Sequence, residues 1–449
     1  MKDLTVGKEG RLILHFALPM LAGNLFQQLY NFVDSIIVGR IIGKEALAAV
    51  GASFPIIFTY IALIIGIATG GTIVIAQFYG AKNIEKVRHT IDTLFIFFFF
   101  ASIVFTTIGV LSSEKIFRLI KLPNDVLPYA VEYLNIYLFG LVVFFGFNAT
   151  SAVLRGLGDS LTPLYFLIVA TLLNIGFDYL FIKGFNWGIG GAAYATILSQ
   201  GLAFISAIIY LNKTHKIIRF SLKNLVFDVK IFLTSLRIGI PTGMQHVFVS
   251  VGMILIMSIV NTFGTDVVAG YSAALRVDSM AMLPAMNFGQ ALATFVGQNI
   301  GANKKERIKS GLSSTILMSS AVSIFVTAIV ILFGRNIMGW FTDDTDVINV
   351  GVRYLVIISS FYLLFNMMFS VNGVLRGAGD TIIPMLITLV TLWVVRIPMA
   401  WLLSKKAGLG EIGIWWATPI TWIIGVALSY LYYRSGNWKK FAVVKHATS

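Results

Sequence analysis

The residues of this chain that could do chemistry are a few polar side chains set inside long apolar runs. Asp34 closes the stretch Gln27-Gln28-Leu29-Tyr30-Asn31-Phe32-Val33-Asp34, and Asp178 closes Asn174-Ile175-Gly176-Phe177-Asp178. In a membrane-crossing helix an ionised carboxylate costs roughly 2.5 to 3.5 kcal/mol near mid-span, so each acid needs a partner or a task. Asn174 and Asp178 are four residues apart and stack on one helix face. Thr196, on the next apolar run, falls at a comparable depth. Together Asp34, Asn174, Asp178 and Thr196 supply hard oxygen donors suited to a monovalent cation such as Na+, or to a proton shared between the acids. A packing cluster is the competing explanation, because polar side chains also join membrane helices at roughly 0.6 kcal/mol per bond. Two buried acids are more than packing requires.

The elements that must carry these residues follow from composition. The chain has 449 residues, 57% of them hydrophobic and 12% charged, well above the roughly 45 to 50% apolar content of soluble domains. Runs of about 20 largely uncharged residues recur from end to end, each long enough to cross a hydrocarbon core of about 30 Å. They predict twelve helical spans, near 13–38, 47–79, 88–112, 126–154, 162–183 and 189–212, then 230–260, 267–299, 309–333, 346–375, 383–404 and 411–433. The expected domains are a first lobe over 1–212, a basic cytoplasmic connection over 213–229, and a second lobe over 230–449 ending in a short basic tail. The opening residues are expected to remain as a cytoplasmic tail, since no small-residue cleavage site follows a short apolar core.

The net charge of +14 does not point to nucleic acid, because the basic residues are dispersed over short connections and do not line one face. With both termini cytoplasmic, inside segments carry twenty-one Lys and Arg and outside segments nine, as the positive-inside rule prefers. Cysteine is absent, which removes disulfides and thiolate chemistry. Neither a DDxxD run nor HExxH occurs, so an intramembrane enzyme is not expected. A channel is disfavoured, since one chain with two unequal halves lacks a symmetric filter.

The chain is duplicated. Gln77-Phe78-Tyr79-Gly80-Ala81 returns as Gln298-Asn299-Ile300-Gly301-Ala302, and Leu154-Arg155-Gly156-Leu157-Gly158-Asp159 as Leu375-Arg376-Gly377-Ala378-Gly379-Asp380, both at an offset of 221. Six spans per half make the copies parallel, related by an axis along the membrane normal. The same offset takes position 34 near Leu255, 174 to Val395 and 178 to Met399, so the acidic site belongs to one half. The second half carries Asp278 in its second span and Arg396 in its fifth, candidates either for an ion pair or for the lining of a substrate cavity. Pro19, inside the first span, removes a backbone hydrogen bond and is a candidate hinge.

This ordered set resembles the multidrug and toxic compound extrusion (MATE) family, in its DinF-like bacterial and archaeal branch. The resemblance rests on Pro19-Met20 through Gln27, Tyr30, Asn31 and Asp34, on Ala48-Ala49-Val50-Gly51, on the repeated Leu-Arg-Gly-x-Gly-Asp, and on Asn174, Asp178 and Thr196. It implies an all-α polytopic membrane protein of two pseudo-symmetric six-helix lobes in a V shape. The implied activity is export of amphipathic, often cationic compounds in antiport with H+ or Na+, without another cofactor. It also implies cation coupling at Asp34, Asn174, Asp178 and Thr196 and a polar cavity position at Asn148; Gln27, Tyr30, Asn31, Asp278 and Arg396 are the further substrate-cavity candidates. A monomer in the bacterial inner membrane, surrounded by lipid, is expected. The alternative within the same superfamily is a flippase of lipid-linked oligosaccharide, which would need a strongly basic cavity.

Overall fold

The computed structural model describes residues 2–214 and 225–445, apart from the side chain of Phe32. Lys216, Arg219 and Lys223 of the expected connection, and the last four residues, therefore lie outside the described residues. Within the described residues the chain is helical, with no strand. The spans are α1 (Glu9–Ile41), α2 (Lys44–Gly80), α3 (Ile84–Leu119), α4 (Leu127–Phe139 and Leu141–Gly156), α5 (Leu161–Gly184) and α6 (Gly188–Thr214). The second set is α7 (Val229–Phe263), α8 (Thr265–Gly301), α9 (Glu306–Gly339), α10 (Thr345–Ser359 and Tyr362–Gly377), α11 (Ile382–Lys406) and α12 (Glu411–Ser435). Nine are long and apolar enough to cross a membrane as single helices, and the two broken pairs bring the number to eleven. The twelfth, α8, runs for 37 residues, about 55 Å, and carries Asp266, Arg276 and Asp278. The protein is a multi-pass membrane protein with the twelve-span, two-half architecture expected above.

Two features were not anticipated. Spans α4 and α10 are broken, by 50° at Gly140 and by 49° at residues 360–361. A break frees carbonyls that hydrocarbon cannot satisfy. Each break is met in the same way: the Thr106 hydroxyl on α3 donates to the Leu138 carbonyl at 2.6 Å, and the Thr327 hydroxyl on α9 donates to the Ser359 carbonyl at 2.7 Å. Both the donors and the acceptors are 221 residues apart, so this repair was duplicated with the fold. Arg155 and Arg376, expected in loops, stand instead in the last turns of α4 and α10. Arg376 donates to Gln245 Oε1 at 2.8 Å, so its guanidinium is turned into the protein.

The described chain forms two compact units, one built on Ala22–Gly243 and the other on Leu4–Leu21 together with residues from Met244 onward. These differ from the expected division at 212 and 230. Each half of the sequence gives its opening segment, 4–21 or 229–243, to the unit built on the other half, and each handover falls two residues after a proline inside a helix, Pro19 in α1 and Pro241 in α7. The repeated glutamine motif holds the first of these segments: Gln298 Oε1 accepts from the Leu4 amide at 3.0 Å, and Asn299 donates to the Leu4 carbonyl at 3.2 Å.

In the first unit the second segment is held by backbone packing. Gly66 and Gly70 on α2 meet Gly239 and Gly243 on α7, two small-xxx-small pairs of the kind that lets membrane helices touch main chain to main chain. A Cβ at Gly70 would stand 2.3 Å from the Ser235 carbonyl, and one at Gly239 would stand 2.5 Å from the Ile67 Cα. Overpacking of this kind costs about 1 to 3 kcal/mol or more. We therefore expect Gly70→Leu to lower the thermal midpoint of detergent-purified protein or to abolish monodisperse recovery. Gly51→Leu, made where nothing lies within 4 Å, should leave both unchanged.

Candidate functional site

The first unit gathers the predicted acids and their companions into one buried cluster. Asp34, on α1, and Asp178, at the end of the regular part of α5, are 7% and 0% exposed. The chain turns from α-helical to π-helical over Tyr179–Gly184, immediately after Asp178. The two carboxyl groups are near enough for each to act electrostatically on the other, and two bare carboxylates so placed repel unless a proton or a cation compensates them. One oxygen of each, Asp34 Oδ1 and Asp178 Oδ1, has no hydrogen-bond partner although both are buried. Buried carboxyl oxygens without a protein partner are hard donors of the kind a proton or a small cation can compensate.

Asn174 and Thr196 fix this pair from one side. In the amide orientation that satisfies both of its ends, Asn174 donates to Asp178 Oδ2 at 2.9 Å and accepts from the Thr196 backbone amide at 3.3 Å. The Thr196 hydroxyl, on α6, is 3.1 Å from the Tyr30 hydroxyl on α1. Asn174 thus orients Asp178 against α6, while Tyr30 ties α1 to the same turn of α6. Gln27 and Asn31 are half-buried and share the helix face of Tyr30 and Asp34 by their spacing. Asn148, also half-buried, donates its amide to the Phe144 carbonyl of its own helix at 2.9 Å.

Sequence reasoning missed two tyrosines. Tyr133 and Tyr137, on the first arm of α4, lie within electrostatic range of Asp34, with ring centroids 6.3 Å apart. The break in α4 directs this arm, and Gly140 permits it: a Cβ there would lie 2.3 Å from Ile197 Cγ1, the neighbour of Thr196. The signal available was the i, i+4 tyrosine pair in Glu132-Tyr133-Leu134-Asn135-Ile136-Tyr137, which reading 126–154 as one uniform apolar span concealed. Gln200, one turn beyond Thr196 on α6, is a further buried polar group, with its Oε1 unpartnered.

Asp278 and Arg396 belong to the second unit. The Asp278 carboxylate is taken by two tyrosines from the two arms of the broken α10, accepting from the Tyr354 hydroxyl at 2.9 Å and from the Tyr362 hydroxyl at 2.6 Å. Arg396 is near enough to influence it, but among the described residues no ion pair within 4.0 Å joins them. The pair weighed from the sequence forms no direct salt bridge within 4.0 Å, and the groups in hydrogen-bond contact with the carboxylate are the two hydroxyls of α10. Helix α1 runs unbroken across Pro19.

Comparison with known proteins agrees with this architecture. The family model MatE matches the chain twice, over residues 19–180 and 241–402. The probable multidrug resistance protein YpnP of Bacillus subtilis is 35% identical over 97% of this chain and 97% of its own length. The probable multidrug resistance protein NorM of Thermotoga maritima is 30% identical over 96% of this chain and 94% of its own. Among solved structures, an outward-facing multidrug resistance MATE family transporter of the MOP superfamily superposes with a TM-score of 0.91 at 24% identity, covering 98% of this chain and 99% of that one. Two matches of one family model at matching positions of the two halves, together with near full-length relatives, establish that the chain belongs to the MatE family of membrane transporters, the multidrug and toxic compound extrusion family.

Proposed function

We propose that this transporter exports amphipathic and cationic organic compounds in antiport with H+ or Na+, and that the Asp34 and Asp178 pair is its coupling site. The observation that carries the reading is the pair itself: two buried acids from two helices, in mutual reach, each with an unsatisfied oxygen. With the pair empty, two negative charges face each other in a low-dielectric interior, and a proton or Na+ removes that cost. The cation therefore favours whichever conformation keeps the pair buried, and its release favours one that opens the pair to water. Asn174 and Thr196 hold the geometry, and Tyr30 reports it to α1. Pro19 and Pro241, each two residues before the handover between compact units, are the hinge candidates that let α1 and α7 transmit the change. Gln27, Asn31 and Asn148 are the substrate-facing candidates of this unit. An anionic lipid pyrophosphate would be repelled by the same acids, which speaks against the flippase alternative. The working location is the bacterial inner membrane, with both termini in the cytoplasm and the chain acting as a monomer in lipid.

The test is ethidium efflux in everted membrane vesicles under separately imposed proton and sodium gradients. Asp34→Asn and Asp178→Asn should each reduce gradient-driven efflux to the level of vesicles lacking the protein. Their thermal midpoints should equal or exceed that of the parent, since a buried unsatisfied charge is removed. Efflux that persists in Asp34→Asn under either gradient would refute the coupling role.

Tyr30→Phe removes one neutral hydrogen bond worth about 0.5 to 1.5 kcal/mol, so it should weaken cation dependence by roughly two- to tenfold without abolishing transport. Titrating efflux against the driving cation measures that shift.

A further inference from the structure

The two halves are not related by one constant offset: it is 222 at Pro19 and Pro241, 221 from Gln77 to Pro163, and 222 again beyond, and the second change carries information. Pro163 and Pro384 are 221 apart, whereas Gly188 and Gly410, Gly191 and Gly413, and Thr196 and Thr418 are all 222 apart. One residue has thus been added to the second half between 384 and 410. In that interval α11 contains a π-helical stretch, Val390–Arg396, that the regular part of α5 lacks. The closing π-turns, Tyr179–Gly184 and Leu402–Lys406, are common to both. A wide turn of this kind is how a helix absorbs an extra residue without losing its ends, and such turns cluster at functional sites.

Past the insertion the fixed offset of 221 no longer holds, so the earlier equivalences with Val395 and Met399 are superseded. Arg396, at the end of the π-stretch, takes the register of Asn174, Ala400 that of Asp178, and Thr418 that of Thr196. The proline pair Pro19 and Pro241 sets Ile256 in the register of Asp34. Ile256 and Ala400 are 1% and 0% exposed and pack in one apolar core with Tyr354, Tyr362 and Trp415. The second unit has therefore lost both exchange acids to apolar packing, and a guanidinium stands where the first unit has a neutral amide. The negative charge reappears from another helix as Asp278 on α8, held by Tyr354 and Tyr362. Tyr354 is 221 residues after Tyr133, the tyrosine beside Asp34. The other ionisable groups within electrostatic range of Asp278 are Tyr271, on its own helix, and Arg396 on α11. Arg396 Nε is buried without a hydrogen-bond partner.

We infer that Arg396 is a tethered internal cation: it occupies in the second unit the place of the exchangeable H+ or Na+ of the first, balances Asp278 permanently, and so confines cation exchange to one unit per transporter. This rests on the reading of Asp34 and Asp178 as the exchange site, and it assigns Arg396 and Asp278 a positioning role instead of a place in the substrate cavity. The insertion is what makes the substitution fit, because it delivers the long side chain of Arg396 into a register built for a short one.

The test separates this inference from the coupling role. In purified full-length Asp34→Asn/Asp178→Asn protein, the infrared carbonyl stretch of protonated carboxyl groups no longer contains the first-unit pair. Adding Arg396→Met should introduce one new protonated-carboxyl band at neutral pH, because Asp278 loses its countercharge and takes a proton from solvent. Adding Asp278→Asn to that protein should remove the band, and Arg396→Lys should never produce it. Absence of the band with Arg396→Met, its survival in the presence of Asp278→Asn, or an Asp278 band already present before Arg396 is changed would each overturn the inference. Thermal melts of Arg396→Met, Asp278→Asn and their combination give a second measurement on the otherwise unmodified protein. The combination should melt above either single variant, and a combination no better than the worse single overturns the pairing. Neither measurement reads transport, so a failed efflux prediction for Asp34 leaves both outcomes interpretable.

Discussion

A charge or an open backbone group inside hydrocarbon must be compensated within reach of its own atoms, because no water arrives to do it. Most of the polar architecture of this transporter follows from that constraint. The carbonyls at the breaks of α4 and α10 are met by threonines from the preceding helices. Asp278 is met by two tyrosines. Asp34 and Asp178 stand apart: their companions orient them but leave an oxygen of each unsatisfied.

Duplication explains how one chain can hold both a closed and an open version of the same place. The repeat supplies common parts in both halves: the broken fourth span, its threonine repair, the glutamine motif at the end of the second span, and the tyrosine at 133 and 354. Divergence then acts on single residues. Exchanging Asp for Ile and Ala turns a charged pocket into packed core. One added residue, absorbed as a π-turn, brings a guanidinium into the register of the amide Asn174. The opening segments of α1 and α7 are likewise treated alike, each passing between compact units two residues after a proline. Close glycine packing of α2 on α7 in the first unit holds one such segment without any polar contact.

Much of this was legible in the amino-acid order. Twelve apolar runs, two repeated motifs and the spacing of Asn174 and Asp178 are local or periodic properties, and lipid enforces them strictly: a span must be long, apolar and internally hydrogen-bonded wherever it ends up. Amino-acid order sufficed for the number of spans, the duplication and the acids that needed an explanation. Which side chains meet depends on how the helices pack. Tyr133 and Tyr137 reach Asp34 because α4 bends at Gly140, and a bend carries no hydropathy signal. Asp278 binds tyrosines in preference to Arg396 because the two arms of α10 converge on it. The register of Arg396 depends on a helical turn of different width, which no fixed repeat offset can express. Partners of this kind are set by the approach of helices far apart in the chain, and an apolar run looks the same whichever neighbour it finds.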